Sequence, residues 1–113
     1  MKLLTLSLAC FAVSGFAQAA NVVVAPFHID SMRLSDDTGT LYVKPAAAIE
    51  VKNSTCRFSD FYAVSPEDAL FNQMYAMLLS AGSAGKKIRL WLSDVAGDCK
   101  AERQRVRLVE VAF

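Results

Sequence analysis

The sequence predicts a small, mainly β domain that contains one helix. Short runs of alternating apolar and polar residues recur along the chain, one central stretch has helical periodicity, and two cysteines frame that stretch. A length of 113 residues is that of a single domain. A five-stranded barrel and an α+β sheet covered by one helix are the two architectures that these elements allow.

The first residues have the three parts of a secretory signal peptide. A basic start at Lys2 precedes an apolar run over 3–16, and Ala17-Gln18-Ala19 is a small-x-small cleavage pattern. We therefore expect residues 1–19 to be removed and residues 20–113 to form one exported bacterial domain, periplasmic or secreted. Cys10 leaves a lipid-anchored cysteine as an alternative. No later segment is a candidate transmembrane helix.

Charge and composition argue against several classes of partner. The chain has 12 Lys and Arg against 11 Asp and Glu, and loss of Lys2 with the signal peptide makes the two equal. A neutral domain lacks the basic surface that binds nucleic acid or anionic membranes, so we expect neither partner. The methionines and aromatic residues are typical of a core, and we expect no cofactor.

The mature chain keeps two cysteines, Cys56 and Cys99. An even pair in an exported chain is most simply a disulfide. A metal site would need further ligands, and a redox pair would need a close Cys-x-x-Cys. In the loop-closure model, a loop of about 44 residues gives about 4 kcal/mol of stabilisation. We therefore predict a disulfide-stapled domain.

The N-terminal half of the mature chain has the pattern of two long strands. The first covers Val22 to Leu34, and its apolar phase changes at Asp30-Ser31, which predicts a bulge or a bend. Turn residues at 36–39 lead into a hairpin partner over 41–51. Because Pro45 has no N–H, this second strand is either at a sheet edge or divided in two.

The central stretch combines a strand and a helix. The strand spans 58–64, and the helix is expected from Pro66 to Ala81 with a stop at Gly82. Its apolar arc is wider than a helix lying on a sheet needs, because Phe71, Tyr75 and Leu79 extend it. Either the helix is deeply buried or these three residues contact another subunit.

Two further strands, over 88–93 and 102–113, complete the predicted set. Arg89 and Trp91 share the outer face of the first, where the Trp ring could stack on a sugar or fill a subunit contact. Arg103, Arg105 and Arg107 alternate along the second and could hold an anionic ligand. The alternatives are a packed Trp and a solvated arginine row paired with acids. A change of apolar phase beyond Arg107 predicts a bend.

Strand, strand, strand, helix, strand, strand is the order of an OB-fold barrel with five strands and a helix between the third and fourth. Together with Cys56, Ser65-Pro66, Met77-Leu78-Leu79, the run 85–91 and Cys99, this order resembles the B subunits of pentameric AB-type toxins of the subtilase-cytotoxin and pertussis-like group. It resembles small uncharacterised bacterial exported proteins equally well. The toxin resemblance implies self-association and glycan binding, but it assigns no binding residue here.

No arrangement of residues has the pattern of a catalytic centre. His28 is the single histidine, and the sequence has no nucleophile with a base, no paired carboxylates at a useful spacing and no cluster of metal ligands. We therefore expect a non-catalytic module that binds a glycan or an envelope or secreted protein and oligomerises through its helix. The alternative is a monomeric periplasmic structural or inhibitory protein that covers a partner.

Overall fold

The computed structural model describes residues 21–113. The predicted signal peptide and Cys10 therefore lie outside the described residues. The described chain is mainly β with one helix, as predicted, and its elements follow in this order: β1 (Asn21–Val23), β2 (Ile29–Leu34), β3 (Leu41–Pro45), β4 (Phe58–Val64), α1 (Phe71–Ala84), β5 (Lys87–Ser93), β6 (Cys99–Lys100) and β7 (Arg103–Ala112).

All the strands belong to one sheet, in the order β1-β5-β7-β4-β3-β2, and β6 pairs with β7 beside this path. Every pairing is antiparallel except that of β4 with β7. Because seven strands form an open sheet, the prediction of a five-stranded closed barrel is wrong. The helix accordingly lies between the fourth and fifth strands rather than between the third and fourth.

Two strands exceed the predicted five: the two-residue β6, and one that arises because the predicted first strand is interrupted. Pro26, which has no N–H, lies in the segment between β1 and β2, and these two strands end up at opposite edges of the sheet. The interrupted segment still bonds to β5, since the Val24 and Phe27 amides donate to the Leu90 and Ile88 carbonyls at 2.8 and 2.9 Å. A register shift between Ile29 and Ser31 confirms the bulge predicted at Asp30-Ser31.

The second predicted strand also ends earlier than expected. β3 stops at Pro45, and residues 46–57 form an irregular segment before β4. Pro45 has no N–H to donate, and one further backbone bond, from the Ala46 amide to the His28 carbonyl at 2.8 Å, is made before the chain becomes irregular.

The helix begins later and ends later than predicted. Ser65 makes a turn before it: the Ser65 hydroxyl accepts from the Glu67 amide at 3.2 Å, and the Ser65 carbonyl accepts from the Asp68 amide at 3.1 Å. At the other end Gly85 takes a left-handed conformation with φ +67°, and the Lys86 amide donates to the Ala81 carbonyl at 2.9 Å. Gly85, not Gly82, is therefore the terminating residue.

The core lies between the inner face of the sheet and one stripe of α1. The helix buries Met74, Leu78 and Ala81 against the sheet. The strands contribute a set of side chains that solvent barely reaches: Leu41, Val43, Tyr62, Val64, Ile88, Leu90, Leu92 and Val106. Burial of each of these large side chains is worth about 1.5–3 kcal/mol, so this layer supplies most of the driving force for folding.

Two distant parts of the chain are joined by the disulfide that the even pair of cysteines predicted. Cys56 and Cys99 form a disulfide with a Cα–Cα distance of 5.7 Å, and 43 positions separate them in sequence. The bond ties the end of the irregular segment before β4 to β6. Among residues 21–113, no helix is long and apolar enough to cross a membrane.

Candidate functional site

The three arginines of β7 all contact acidic side chains. Arg103 binds Asp60 through two hydrogen bonds, Nε to Oδ1 at 2.7 Å and Nη2 to Oδ2 at 2.9 Å. This fork-to-fork contact is the main cause that lowers the pKa of Asp60. It also fixes the guanidinium plane of Arg103 on the outer face of the sheet.

Arg105 lies between two carboxylates. It donates to Asp68, in the turn before the helix, and through Nη1 to Asp98 at 3.1 Å. Arg107 reaches the same Asp98 more loosely, at 3.8 Å. These contacts link β7 to the turn before α1 and to the loop before Cys99, so much of the charge on the predicted arginine row is already neutralised.

Arg89 and Trp91 occupy the part of the outer face formed by β5. Arg89 pairs with Glu110 at 3.4 Å. Trp91 is half-buried, and in the sheet register it lies between Val23 on β1 and Leu108 on β7. Val23 and Leu108 are 42% and 45% exposed, so the row presents apolar surface to solvent.

A bulge produces this row. The register of β5 with β7 shifts between Trp91 and Leu92, and both Val106 and Val109 point into the core. Arg107 and Leu108, between them, are both exposed. The predicted bend of the last strand is this irregularity, which re-aims two consecutive side chains to the outside.

The three residues predicted to widen the apolar arc of the helix do not share one environment. Phe71 and Tyr75 are half-buried against the core, and their ring centroids are 6.3 Å apart. Leu79, one turn beyond Tyr75, is 52% exposed at the outer edge of the same flank of the helix. The exposed apolar residues of this region also include Leu70 and Met77.

A cluster that the sequence reading did not identify lies on the outer face of β2, β3, β4 and β7. The rings of Tyr42 and Phe61 are 5.7 Å apart, and the guanidinium groups of Arg33 and Arg103 lie 5.1 Å from the Phe61 ring and 5.0 Å from the Tyr42 ring. Arg103 also lies 4.9 Å from the ring of Phe58. We call these five residues the arginine–aromatic face.

A pocket of about 360 Å³ adjoins this face, and Phe61 belongs to both. The irregular segment after β3 forms its apolar wall, and Lys44, Ser59 and Asp60 are its polar side chains. The complete lining is Lys44, Pro45, Ala47, Ala48, Ile49, Ser59, Asp60 and Phe61. This volume lies at the small end of the range for small-molecule sites, which is about 300–1,000 Å³.

Buried polar residues hold the wall of the pocket in place. The fully buried Tyr62 accepts a hydrogen bond from the Glu50 amide at its hydroxyl oxygen, at 3.0 Å. Gln104, 1% exposed, donates to the Glu50 carbonyl at 2.9 Å and accepts from the Lys52 and Asn53 amides at 2.7 and 2.9 Å. The segment is thus fastened to the sheet.

The pocket and the adjoining face carry unneutralised positive charge. Within residues 21–113, neither Arg33 nor Lys44 has an acidic partner within ion-pair distance, whereas Asp60 is engaged by Arg103. Aromatic planes, forked donors and an ammonium group therefore converge on one concave surface. Such a surface can stack on a ring and donate hydrogen bonds to its substituents.

Alternation in the sequence predicts only some of the residues of this site. Tyr42 and Lys44 alternate with the buried Leu41 and Val43, which is the pattern of a strand with one outer face. Phe58 and Phe61 fall in the strand predicted over 58–64, but they are three positions apart, so alternation does not place both on one face. A register shift between Phe58 and Tyr62 in the pairing of β4 with β7 breaks the alternation, and a single sequence does not reveal it.

No protein-family model matches the chain, and no curated protein shows significant similarity to it. In the described part of the chain, no group of three or more His, Cys, Asp and Glu side chains is placed to hold a metal ion. His28 is exposed, in the segment just before β2.

Proposed function

We propose that this protein is a non-catalytic, exported binding module that takes a saccharide on the arginine–aromatic face and in the adjoining pocket. The observation that carries the proposal is the Tyr42–Phe61 ring pair at the edge of the pocket, with an arginine guanidinium close to each ring. Apolar ring faces pack on the C–H faces of sugars, and Arg and Lys donate to hydroxyl or acid groups.

The order of the strands supports an OB-like arrangement in an open form. β1 and β2 are consecutive in the chain, yet they lie at opposite edges of the sheet, and β4 and β7 are parallel neighbours. OB-folds are partly open and bind oligonucleotides and oligosaccharides on one sheet face and its flanking loops. The neutral charge balance of the predicted mature chain favours a saccharide over a nucleic acid.

A glycan array tests the proposal. The wild-type protein should bind at least one class of saccharide, and Phe61→Ala should weaken that binding by roughly tenfold, because it removes a stacking surface at the pocket mouth. Leu108→Ala is the matched control, since Leu108 is exposed on the same face of the sheet but outside the site. Absence of saccharide binding by the folded wild-type protein would sink the proposal.

One observation favours the second candidate function, that of a monomeric protein that covers a protein partner. The row of Val23, Trp91 and Leu108 is an apolar surface next to arginines, and Trp and Arg are common at the centres of protein interfaces. Under this alternative, an affinity pull-down recovers one stoichiometric envelope protein, and Trp91→Ala abolishes the recovery while Phe61→Ala does not.

A further inference from the structure

Two basic side chains of the candidate site have no acid beside them. Arg33, on β2, and Lys44, on β3, are both exposed, and within residues 21–113 neither has a carboxylate at ion-pair distance. The arginines of β5 and β7 contact acids instead: Arg89, Arg103, Arg105 and Arg107. The unpaired positive charge of the outer face is therefore concentrated where β2 meets β3, and it attracts an anionic group on a ligand.

The register of β2 with β3 places these two cations close together. Arg33 lies opposite Tyr42. Lys44 is two residues beyond Tyr42 on β3, so it shares the same outer face. Arg33 and Lys44 are then diagonal neighbours, which lie about 7–8 Å apart in an antiparallel pair. Both side chains are long and flexible, so their charged ends can meet acid groups on two neighbouring units of one ligand.

An aromatic ring lies beside both cations. The guanidinium group of Arg33 is 5.1 Å from the centre of the Phe61 ring, and Phe61 and Lys44 both line the pocket. A sugar that packs its C–H face on an aromatic ring directs its equatorial substituents sideways, because these substituents lie close to the plane of the sugar ring. An equatorial carboxylate of a sugar held at Phe61 is therefore directed towards the neighbouring cations.

The arginine–aromatic face is longer than one sugar ring. It crosses β2, β3, β4 and β7, which are successive neighbours in the sheet. Because neighbouring strands lie about 4.8 Å apart, these four strands span about 14 Å. The aromatic surface continues at Phe58, whose ring lies 4.9 Å from the guanidinium group of Arg103. A chain of several sugars is needed to cover this surface.

We propose that the ligand of this site is an internal stretch of a linear polysaccharide whose sugars carry carboxylate groups. Arg33 and Lys44 pair with the carboxylates of neighbouring sugars, and the aromatic rings pack on the sugar faces. This inference rests on the proposed saccharide-binding function and adds the class of saccharide. Uronic acid chains have this chemistry, since each sugar carries one carboxylate, whereas a neutral glycan leaves both cations without a partner.

Isothermal titration calorimetry with matched ligands tests the proposal, on protein purified from expression of the full-length chain. The acidic ligands are hexamers of galacturonate, mannuronate and glucuronate. Each has a neutral counterpart of identical linkage, made by reduction of its carboxylates to primary alcohols. The wild-type protein should bind at least one acidic hexamer about tenfold more tightly than its neutral counterpart, because charge-assisted hydrogen bonds are lost with the carboxylates.

Single charge removals assign the preference to the two cations. Arg33→Gln and Lys44→Gln should each weaken binding of the acidic hexamer by about tenfold and leave binding of the neutral one within about twofold. Lys87→Gln is the matched control, because it removes the same charge from an exposed position of β5 outside the site. It should leave both affinities within about twofold.

The outcomes separate this inference from the function on which it rests. If no acidic hexamer binds more tightly than its neutral counterpart, or if both glutamine variants bind as the wild type does, the ligand is not acidic, and saccharide binding itself still stands. A uronic acid monomer that binds as tightly as the hexamer would overturn the assignment of a chain. Absence of binding to every saccharide overturns both proposals.

Discussion

Two buried polar side chains, those of Gln104 and Asn53, fasten the irregular segment beside the candidate site to the rest of the fold. Gln104 comes from β7, yet its side chain satisfies three backbone groups of the irregular segment that walls the pocket. Asn53 extends the contact, since its side-chain amide donates to the Ser93 and Val95 carbonyls at 3.1 and 2.9 Å. Loss of one partner would leave buried donors or acceptors unsatisfied, and each such group costs free energy of folding.

Gln104→Ala should lower the free energy of unfolding by about 3 kcal/mol, because it leaves two backbone amides and one carbonyl without their partners. Urea denaturation at neutral pH measures the loss. Gln73→Ala, at an exposed position of α1, should change stability by less than about 0.5 kcal/mol. A loss below about 1 kcal/mol for Gln104→Ala would show that the segment does not depend on this residue.

The pair of Asp60 and Arg103 makes stability depend on acid pH. The hydrogen bonds from Arg103 lower the pKa of Asp60 in the folded state, so the unfolded chain, in which an Asp titrates near 3.9, binds the proton more readily. The stabilisation is therefore complete above about pH 5 and is lost as the pH falls through about 4 and below. It should stay under about 1 kcal/mol, because the Asp60 side chain is 50% exposed.

Asp60→Asn should accordingly lose up to about 1 kcal/mol at pH 7 and show a smaller further loss between pH 5 and pH 3 than the wild-type protein. Urea midpoints measured across this range are the readout. Asp94→Asn removes the same charge from an exposed loop position without an ion pair among residues 21–113, and it should follow the wild-type profile. Parallel profiles for Asp60→Asn and the wild type would contradict the role of this pair.

The sequence predicted that the three arginines of β7 share a face, but it did not identify the acidic residues that pair with them. The alternation of Arg103, Arg105 and Arg107 follows directly from the period of a strand. The acids that meet the first two, Asp60 and Asp68, come from positions more than 35 residues earlier in the chain. The parallel pairing of β4 with β7 brings the acids and the arginines together, and no local sequence pattern predicts that pairing.

At the scale of elements, the helix shows where local signals compete. Ser65-Pro66-Glu67-Asp68 has the composition of a helix start, but the Ser65 hydroxyl is used in a turn and the Asp68 carboxylate is held by Arg105. Tertiary contact therefore moves the start to Phe71. Either Gly82 or Gly85 could end the helix according to the sequence. The left-handed conformation of Gly85 shows that the helix ends there.

Substitution of these two glycines should have opposite effects. Gly82→Ala should stabilise by about 0.5–1 kcal/mol, because Gly82 is inside the helix and its added Cβ would lie 3.7 Å from Ile29 Cδ1, an ordinary contact. Gly85→Ala should destabilise by about 1 kcal/mol, because φ is +67° there. Thermal unfolding of both variants checks the pair, and the reversed signs would place the helix end at Gly82.

At the scale of the whole molecule, the sequence predicted the fold class and the disulfide. It did not predict that the sheet is open. Alternating runs and one helical stretch were enough for a mainly β domain with one helix. The cysteine count in a chain with a predicted export signal was enough for the disulfide. The break around Pro26 and the two-residue β6 were not predicted, because strands this short carry no periodicity.

Replacement of both Cys56 and Cys99 by Ala should cost about 4 kcal/mol of stability, since the bond closes a long loop in the unfolded chain. That is a large share of the 5–15 kcal/mol typical of a domain. Denaturant unfolding of the double variant is the measurement, and the unaltered protein under reducing conditions should show the same loss. A double variant as stable as the wild type would show that the disulfide does not stabilise the fold.

The most direct test of saccharide binding on the arginine–aromatic face is a two-dimensional amide NMR titration with the saccharide that gives the strongest array signal. Shifts should be concentrated at Arg33, Tyr42, Lys44 and residues 59–61, with little change along α1 or around Trp91. Saturable shifts centred on Trp91 and Leu108, with none at Tyr42 or Phe61, would contradict it.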